Sequence, residues 1–132
     1  MEFKEIQLRE KENQPYTSPI IEDWSKVLIR LETTNHCNFK CSFCPHPQMV
    51  RSKGFMNDEL YYKIVDQAAE LGFVKLDLRN FGEPLLDKRL GEFAKYAVDK
   101  GLNKIYIHTN GLGLNEKKLN KWGEGGITDV NI

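Results

Sequence analysis

The sequence carries no net charge: 19 Lys and Arg offset 19 Asp and Glu across 132 residues. That excludes the basic footprint of a nucleic-acid binder or of a protein held electrostatically to a membrane surface. Long apolar runs are also missing. In the first thirty residues the longest is Val27-Leu28-Ile29, and Met1 to Glu12 mixes charged with apolar residues. Neither a signal peptide nor a transmembrane anchor is expected from such a start. Short internal repeats and low-complexity tracts are lacking as well. With 40% hydrophobic residues the chain has enough apolar surface to build one core, and its length fits one domain.

Cysteine is scarce, yet all three residues, Cys37, Cys41 and Cys44, fall within eight positions. An odd, crowded set is no disulfide framework. A cytoplasmic, reducing setting is the expectation, and there such a cluster binds metal or does redox chemistry.

Residues 1–24 are polar and broken by Pro15 and Pro19, so they read as an N-terminal extension. The core domain is expected over 25–132. Val27, Ile29 and Leu31 alternate with Leu28, Arg30 and Glu32, which predicts a strand ending near Thr33-Thr34. After the cysteine loop, Asn57 is a candidate N-cap of a helix with Asp58 and Glu59 in its first turn. Its expected apolar stripe is Leu60, Ile64, Ala68 and Leu71, closed by Gly72. A second strand is expected over 73–79. The turn Phe81-Gly82-Glu83-Pro84 follows. Asp87 is then placed to cap a helix with the stripe Leu90, Phe93, Ala94, Ala97 and Val98, ending before Gly101. A third strand spans Lys104 to Thr109. Asn115 caps a third helix, with Leu114 and Leu119 as a hydrophobic staple and Gly123, Gly125 and Gly126 at its end. A fourth strand runs from Ile127 to Ile132. This alternation predicts an α/β protein with parallel strands and right-handed crossovers. A full barrel needs about 250 residues, so the expected architecture is the N-terminal half of a partial (β/α)6 TIM-like barrel, stopping at the fourth strand. An open doubly wound sheet is the alternative.

The spacing Cys37-x3-Cys41-x2-Cys44 lies directly after the first strand, at the functional end of a parallel sheet. Three thiolates on one loop suit a soft metal centre and leave one coordination position open. An iron–sulfur cubane held by three Cys would have one free iron. A zinc site completed by His36 or His46 stays open as an alternative, either as a zinc-binding α/β interaction module or beside a simple iron–sulfur electron carrier.

At this loop the sequence resembles the radical S-adenosylmethionine (radical SAM) superfamily. The matching string is Cys37-Asn-Phe-Lys-Cys41-Ser-Phe-Cys44-Pro45, after a strand ending Glu-Thr-Thr-Asn. Phe81-Gly82-Glu83-Pro84 follows the second strand, Thr109-Asn110-Gly111 the third, and Gly126-Ile127-Thr128-Asp129-Val130 enters the fourth. The flanks most resemble members with an added C-terminal SPASM-type domain. The resemblance implies that Cys37, Cys41 and Cys44 hold a [4Fe-4S] cluster whose free iron takes S-adenosylmethionine. It implies reductive cleavage to a 5′-deoxyadenosyl radical that abstracts a substrate hydrogen, an oxidoreductase-type chemistry. Phe43 would lie beside the adenine, Gly82 and Glu83 near the methionine amino group, and Thr109 and Asn110 near the carboxylate or ribose. No protein residue is assigned as catalytic, because the hard chemistry belongs to the cofactors. The substrate would be a peptide, carbohydrate or small metabolite, and the electron donor a flavodoxin or ferredoxin. Taken without the resemblance, Phe43 reads as core, Gly82-Glu83-Pro84 as an ordinary turn and Thr109-Asn110-Gly111 as a strand exit. His108 reads as a strand residue, Arg79 as a salt-bridge partner, and Trp122 as helix packing. Arg51 and Lys53 read as solvated loop or as contacts to an anionic substrate.

Overall fold

The computed structural model describes residues 22–132; most of the extension expected over 1–24 lies outside the described residues. Among the described residues four strands alternate with three α-helices: β1 Leu28–Arg30, α1 Asp58–Glu70, β2 Lys75–Asp77, α2 Leu90–Asp99, β3 Lys104–His108, α3 Glu116–Glu124 and β4 Ile127–Asn131. All neighbouring strands pair in parallel, in the order β1-β2-β3-β4. A doubly wound sheet reverses its strand order at a switch point. Here each strand instead steps to one side of the last, as in a barrel sector, so the doubly wound alternative falls. β1 and β2 are shorter than expected. Their pairing nevertheless continues through Leu31 N–H to Asp77 O at 2.9 Å and Leu78 N–H to Tyr106 O at 3.0 Å.

The strands divide their side chains by parity. Leu76, Leu78, Ile105 and Ile107 are fully buried, in one core with Val65, Phe93, Ala94 and Ala97 of the helices. Arg30 pairs in register with Asp77, and Asp77 with Tyr106; alternation sends this row to the opposite, polar face.

Two expectations about the helices need correction. The buried face of α1 is Tyr61, Val65 and Ala68, whereas Leu60 and Leu71 are 48% and 53% exposed. The helix is turned toward Tyr61 because that ring stacks on Phe93 at 3.9 Å and donates its Oη–H to Phe93 O at 2.7 Å. An aromatic ring buries more area than a leucine and can satisfy its hydroxyl there. Burial pushes the Tyr61 phenol well above its usual range. Asp87 is not the cap of α2. Arg89 holds that position, and Asp87 folds back to accept from Arg89 N at 3.0 Å and from the Arg89 guanidinium. Asn57 and Asn115 do cap, accepting from Leu60 N and Lys118 N. Gly123 sits inside α3, which ends at Gly125. A Cβ on Gly125 would stand 2.7 Å from Gly91 O, so glycine here sets how closely α2 and α3 approach. Trp122 is buried in the core and Leu119 is half-exposed. No helix among the described residues is long and apolar enough to cross a membrane.

Candidate functional site

The loops following β1, β2 and β3 gather at one end of the sheet, and hydrogen bonds fix their separations. The long loop after β1 is closed at its base. Thr34 forms an antiparallel bridge with Phe55, and Met56 N–H donates to Thr33 O at 2.7 Å. Asn35, buried, is the clasp: its Oδ1 accepts from Gly54 N at 2.6 Å and its Nδ2 donates to Ser52 O at 2.9 Å. Thr34 Oγ1 donates to Gly54 O and accepts from His36 N. A loop of this length must satisfy its own backbone groups, and the Thr-Thr-Asn run supplies the polar side chains that do so.

Within that loop Cys37, Cys41 and Cys44 are free thiols, each half-buried. Cys44 N–H donates to Cys41 O at 3.1 Å, which turns the chain between them. Among the described residues no three His, Cys, Asp or Glu side chains gather to hold a single metal ion. His46 is buried with Nε2 2.8 Å from Asn35 O, and the His36 ring packs on Phe55 at 5.0 Å. Of the two histidines proposed as zinc ligands, His46 is thus engaged through Nε2 in holding the loop, whereas the His36 ring only packs against Phe55. The donor set that remains, three soft thiols on one loop, fits an iron–sulfur cluster held by three thiolates. Phe43 stands 89% exposed, so it is not core.

The turn after β2 presses against this loop. A Cβ on Gly82 would fall 1.9 Å from Thr34 O and 2.9 Å from Asn35 Cα, so only glycine permits the approach. Glu83 N–H donates to His36 O at 2.7 Å. The Glu83 carboxylate is buried. Its Oε1 accepts from Thr109 Oγ1 at 2.5 Å and Leu85 N at 2.9 Å, and its Oε2 from Asn110 N at 2.8 Å. Asn110 Nδ2 then donates to Asn38 Oδ1 at 2.8 Å, completing the circuit back to the cysteine loop. Gly82, Glu83, Thr109 and Asn110 are therefore brought together with the cysteine loop, through Glu83 as the common acceptor. Sequence reasoning missed Asn35 and His46 as the clasp, since side chains bonding backbone 11 to 19 residues away leave no local pattern. A cavity of about 420 Å³, lined by Pro45, His46, Met49, Val50, Arg51 and Phe81, lies on the flank of the loop. Arg51 pairs with Glu32, and Arg79 Nε with Asp77 Oδ2 at 2.7 Å.

A fold with three strand-end loops converging on a three-thiol motif defines the class. A sequence model described as the Radical SAM superfamily matches residues 31–132, and the chain belongs to that superfamily. The GTP 3′,8-cyclase of Actinobacillus pleuropneumoniae serotype 7 (strain AP76) is 31% identical over 110 residues, 80% of this chain and 32% of that protein. That of Stenotrophomonas maltophilia (strain R551-3) is 36% identical over 107 residues, 79% of this chain and 32% of that protein. Among solved structures, the crystal structure of BtrN in complex with AdoMet and 2-DOIA is similar with a TM-score of 0.73 at 32% identity, covering 78% of this chain and 43% of that one. The chain spans about a third of the length of the curated relatives it matches. Membership of the superfamily implies a [4Fe-4S] cluster and S-adenosylmethionine in general terms.

Proposed function

We propose that residues 25–132 are the cluster-binding part of a radical SAM enzyme core, preceded by an extension over 1–24. In this reading Cys37, Cys41 and Cys44 hold the [4Fe-4S] cluster. Phe43, Gly82, Glu83, Thr109 and Asn110 line the S-adenosylmethionine site. When bound, the two cofactors supply one-electron chemistry that ends in removal of a hydrogen atom from a substrate. The observation that carries the reading is the hydrogen-bonded circuit from the cysteine loop through Glu83 to Asn110 and back to Asn38.

The residues divide the work. Glu83 uses both carboxylate oxygens on Thr109, Leu85 and Asn110, so it fixes the loops, and the backbone beside Gly82 is left to meet an ammonium group. Phe43 offers an exposed flat apolar face for a flat ring. The thiols are exposed enough to reach a cluster and are held on a clasped loop. The substrate is a peptide, carbohydrate or small metabolite, and a flavodoxin or ferredoxin supplies the electron in the cytoplasm. The flanks of the cysteine motif favour kinship with members carrying a SPASM-type domain. Superfamily membership and the engaged His46 favour this reading over a zinc module or a plain electron carrier. Replacing Cys37, Cys41 or Cys44 singly with Ala tests it: each variant should lose iron after anaerobic reconstitution while keeping its helical circular dichroism. Retention of full iron by any one of them would overturn it.

A further inference from the structure

One buried carboxylate on the polar face of the sheet holds two arginines. Asp77, on β2, is 1% exposed. Its Oδ2 accepts from Arg30 Nε at 3.2 Å and from Arg79 Nε at 2.7 Å. One guanidinium is enough to balance that charge. The second leaves one positive charge over, and two guanidiniums crowded on one oxygen repel each other. The other charged groups described on this face do not cancel it. Glu32 is taken by Arg51 and by Phe81 N–H. Asp129 is in register with Tyr106, and Tyr106 with Asp77, so Asp129 stands two strands away, about 10 Å. His108 brings no negative charge. Each arginine spends only its Nε on Asp77; among the described residues no acceptor bonds the Nη groups of either. The Arg30 side chain is 47% exposed and that of Arg79 32%, so both are reachable from solvent. Arg89 shows the contrast: its Nη groups are both spent, on Met56 O, Asp58 and Asp87.

We propose that Arg30 and Arg79 form a subsite for one oxyanion, a carboxylate or phosphate group, with Asp77 as the residue that positions them. A guanidinium whose Nε is occupied still presents its two Nη groups as an end-on pair, which matches two oxygens of such an anion. The oxyanion also supplies the missing counter-charge. A neutral hydroxyl does not, and a cation is repelled. Arg79 stands just past β2 and three residues before Gly82, on the segment whose turn presses on the cysteine loop. Taking the oxyanion to belong to the substrate rests on the function proposed above; the binding itself does not.

The test uses the 132-residue chain labelled with 15N-arginine, which has five arginines to resolve. Inorganic phosphate is titrated at constant ionic strength against chloride. The Nε–H signals of Arg30 and Arg79 should move saturably, and those of Arg51 and Arg89 should stay put. Sodium acetate in a second titration separates the two oxyanions: the one that saturates at lower concentration identifies the group. Arg79→Gln should weaken binding about tenfold, the loss of one charge-assisted contact. Because that change unbalances the buried Asp77 and can unfold the sheet, Arg30→Lys is measured in parallel. It keeps the charge beside Asp77 but loses the fork, and should weaken binding while its circular dichroism stays that of the parent. The proposal is overturned if neither phosphate nor acetate moves the two signals more than chloride does. It is equally overturned if all five arginines shift together, which is screening, or if a folded Arg30→Lys chain binds as tightly as the parent. Iron is counted on a separate, anaerobically reconstituted aliquot. Oxyanion binding without iron uptake would sink the proposed function and leave the subsite; iron uptake without oxyanion binding would do the reverse.

Discussion

Replacing Gly82 with Ala puts one methyl group into the junction between the turn after β2 and the cysteine loop. The new Cβ would lie 1.9 Å from Thr34 O, 2.7 Å from Thr34 C and 2.9 Å from Asn35 Cα. All three atoms are backbone, so no side chain can swing away. Relief requires the two segments to part by about 1 Å, since real Cβ contacts essentially never fall under 3.0 Å. Parting them strains Glu83 N–H to His36 O, now 2.7 Å, and Phe81 N–H to Glu32 Oε2, now 3.1 Å. Overpacking costs about 1–3 kcal/mol, and each lost hydrogen bond about 0.5–1.5 kcal/mol. The expected loss is therefore about 2–6 kcal/mol, a large share of the ~5–15 kcal/mol of a typical domain. Urea unfolding followed by circular dichroism measures it, and iron uptake after anaerobic reconstitution reports the loop. Gly54→Ala is the control, because a Cβ there meets nothing within 4 Å. If Gly82→Ala unfolds within about 0.5 kcal/mol of the parent, as neutral surface changes do, and still takes up full iron, the close-approach argument is wrong.

His46→Ala removes the group bonded to Asn35 O and should lower stability by about 1–3 kcal/mol, yet leave iron content unchanged; loss of iron from a variant as fully folded as the parent would contradict a purely structural role for His46. Tyr61→Phe leaves Phe93 O without the Tyr61 hydroxyl and should cost about 1 kcal/mol in urea unfolding, whereas Tyr61→Ala should cost about 3–5 kcal/mol. Asp66 has its carboxyl held below the usual range, first by the Lys100 ammonium and then by the Tyr96 hydroxyl. Its contribution is present above the ordinary carboxylate pKa and lost as pH falls through the lowered one. Asp66→Asn should therefore flatten the acid limb of the stability profile, and an unchanged limb would remove this pair from the account.

Strand–helix order, the N-caps Asn57 and Asn115, and the stripe of α2 were legible because each depends on residues within one or two turns. The face of α1 was not: Tyr61 outcompetes Leu60 only because Phe93, 32 residues away, offers both a ring and a carbonyl. Asp87 was misread for a different reason: Arg89, only two residues on, captures its carboxylate, and that guanidinium is itself held from across the fold by Met56 O and Asp58. At the site, the cysteine motif was legible from spacing alone. The engagement of Glu83 was not, because its partners lie 26 and 27 residues further on, across the sheet.

In the function proposed above, three cysteines hold a cluster with one iron open to S-adenosylmethionine. Iron and sulfide analysis of the anaerobically reconstituted chain, followed by electron paramagnetic resonance of the reduced protein with and without S-adenosylmethionine, addresses it directly. The account predicts about four iron and four sulfide per chain and a spectrum that changes when S-adenosylmethionine is added. One zinc with no iron, or a spectrum unmoved by saturating S-adenosylmethionine in a folded chain, would contradict it.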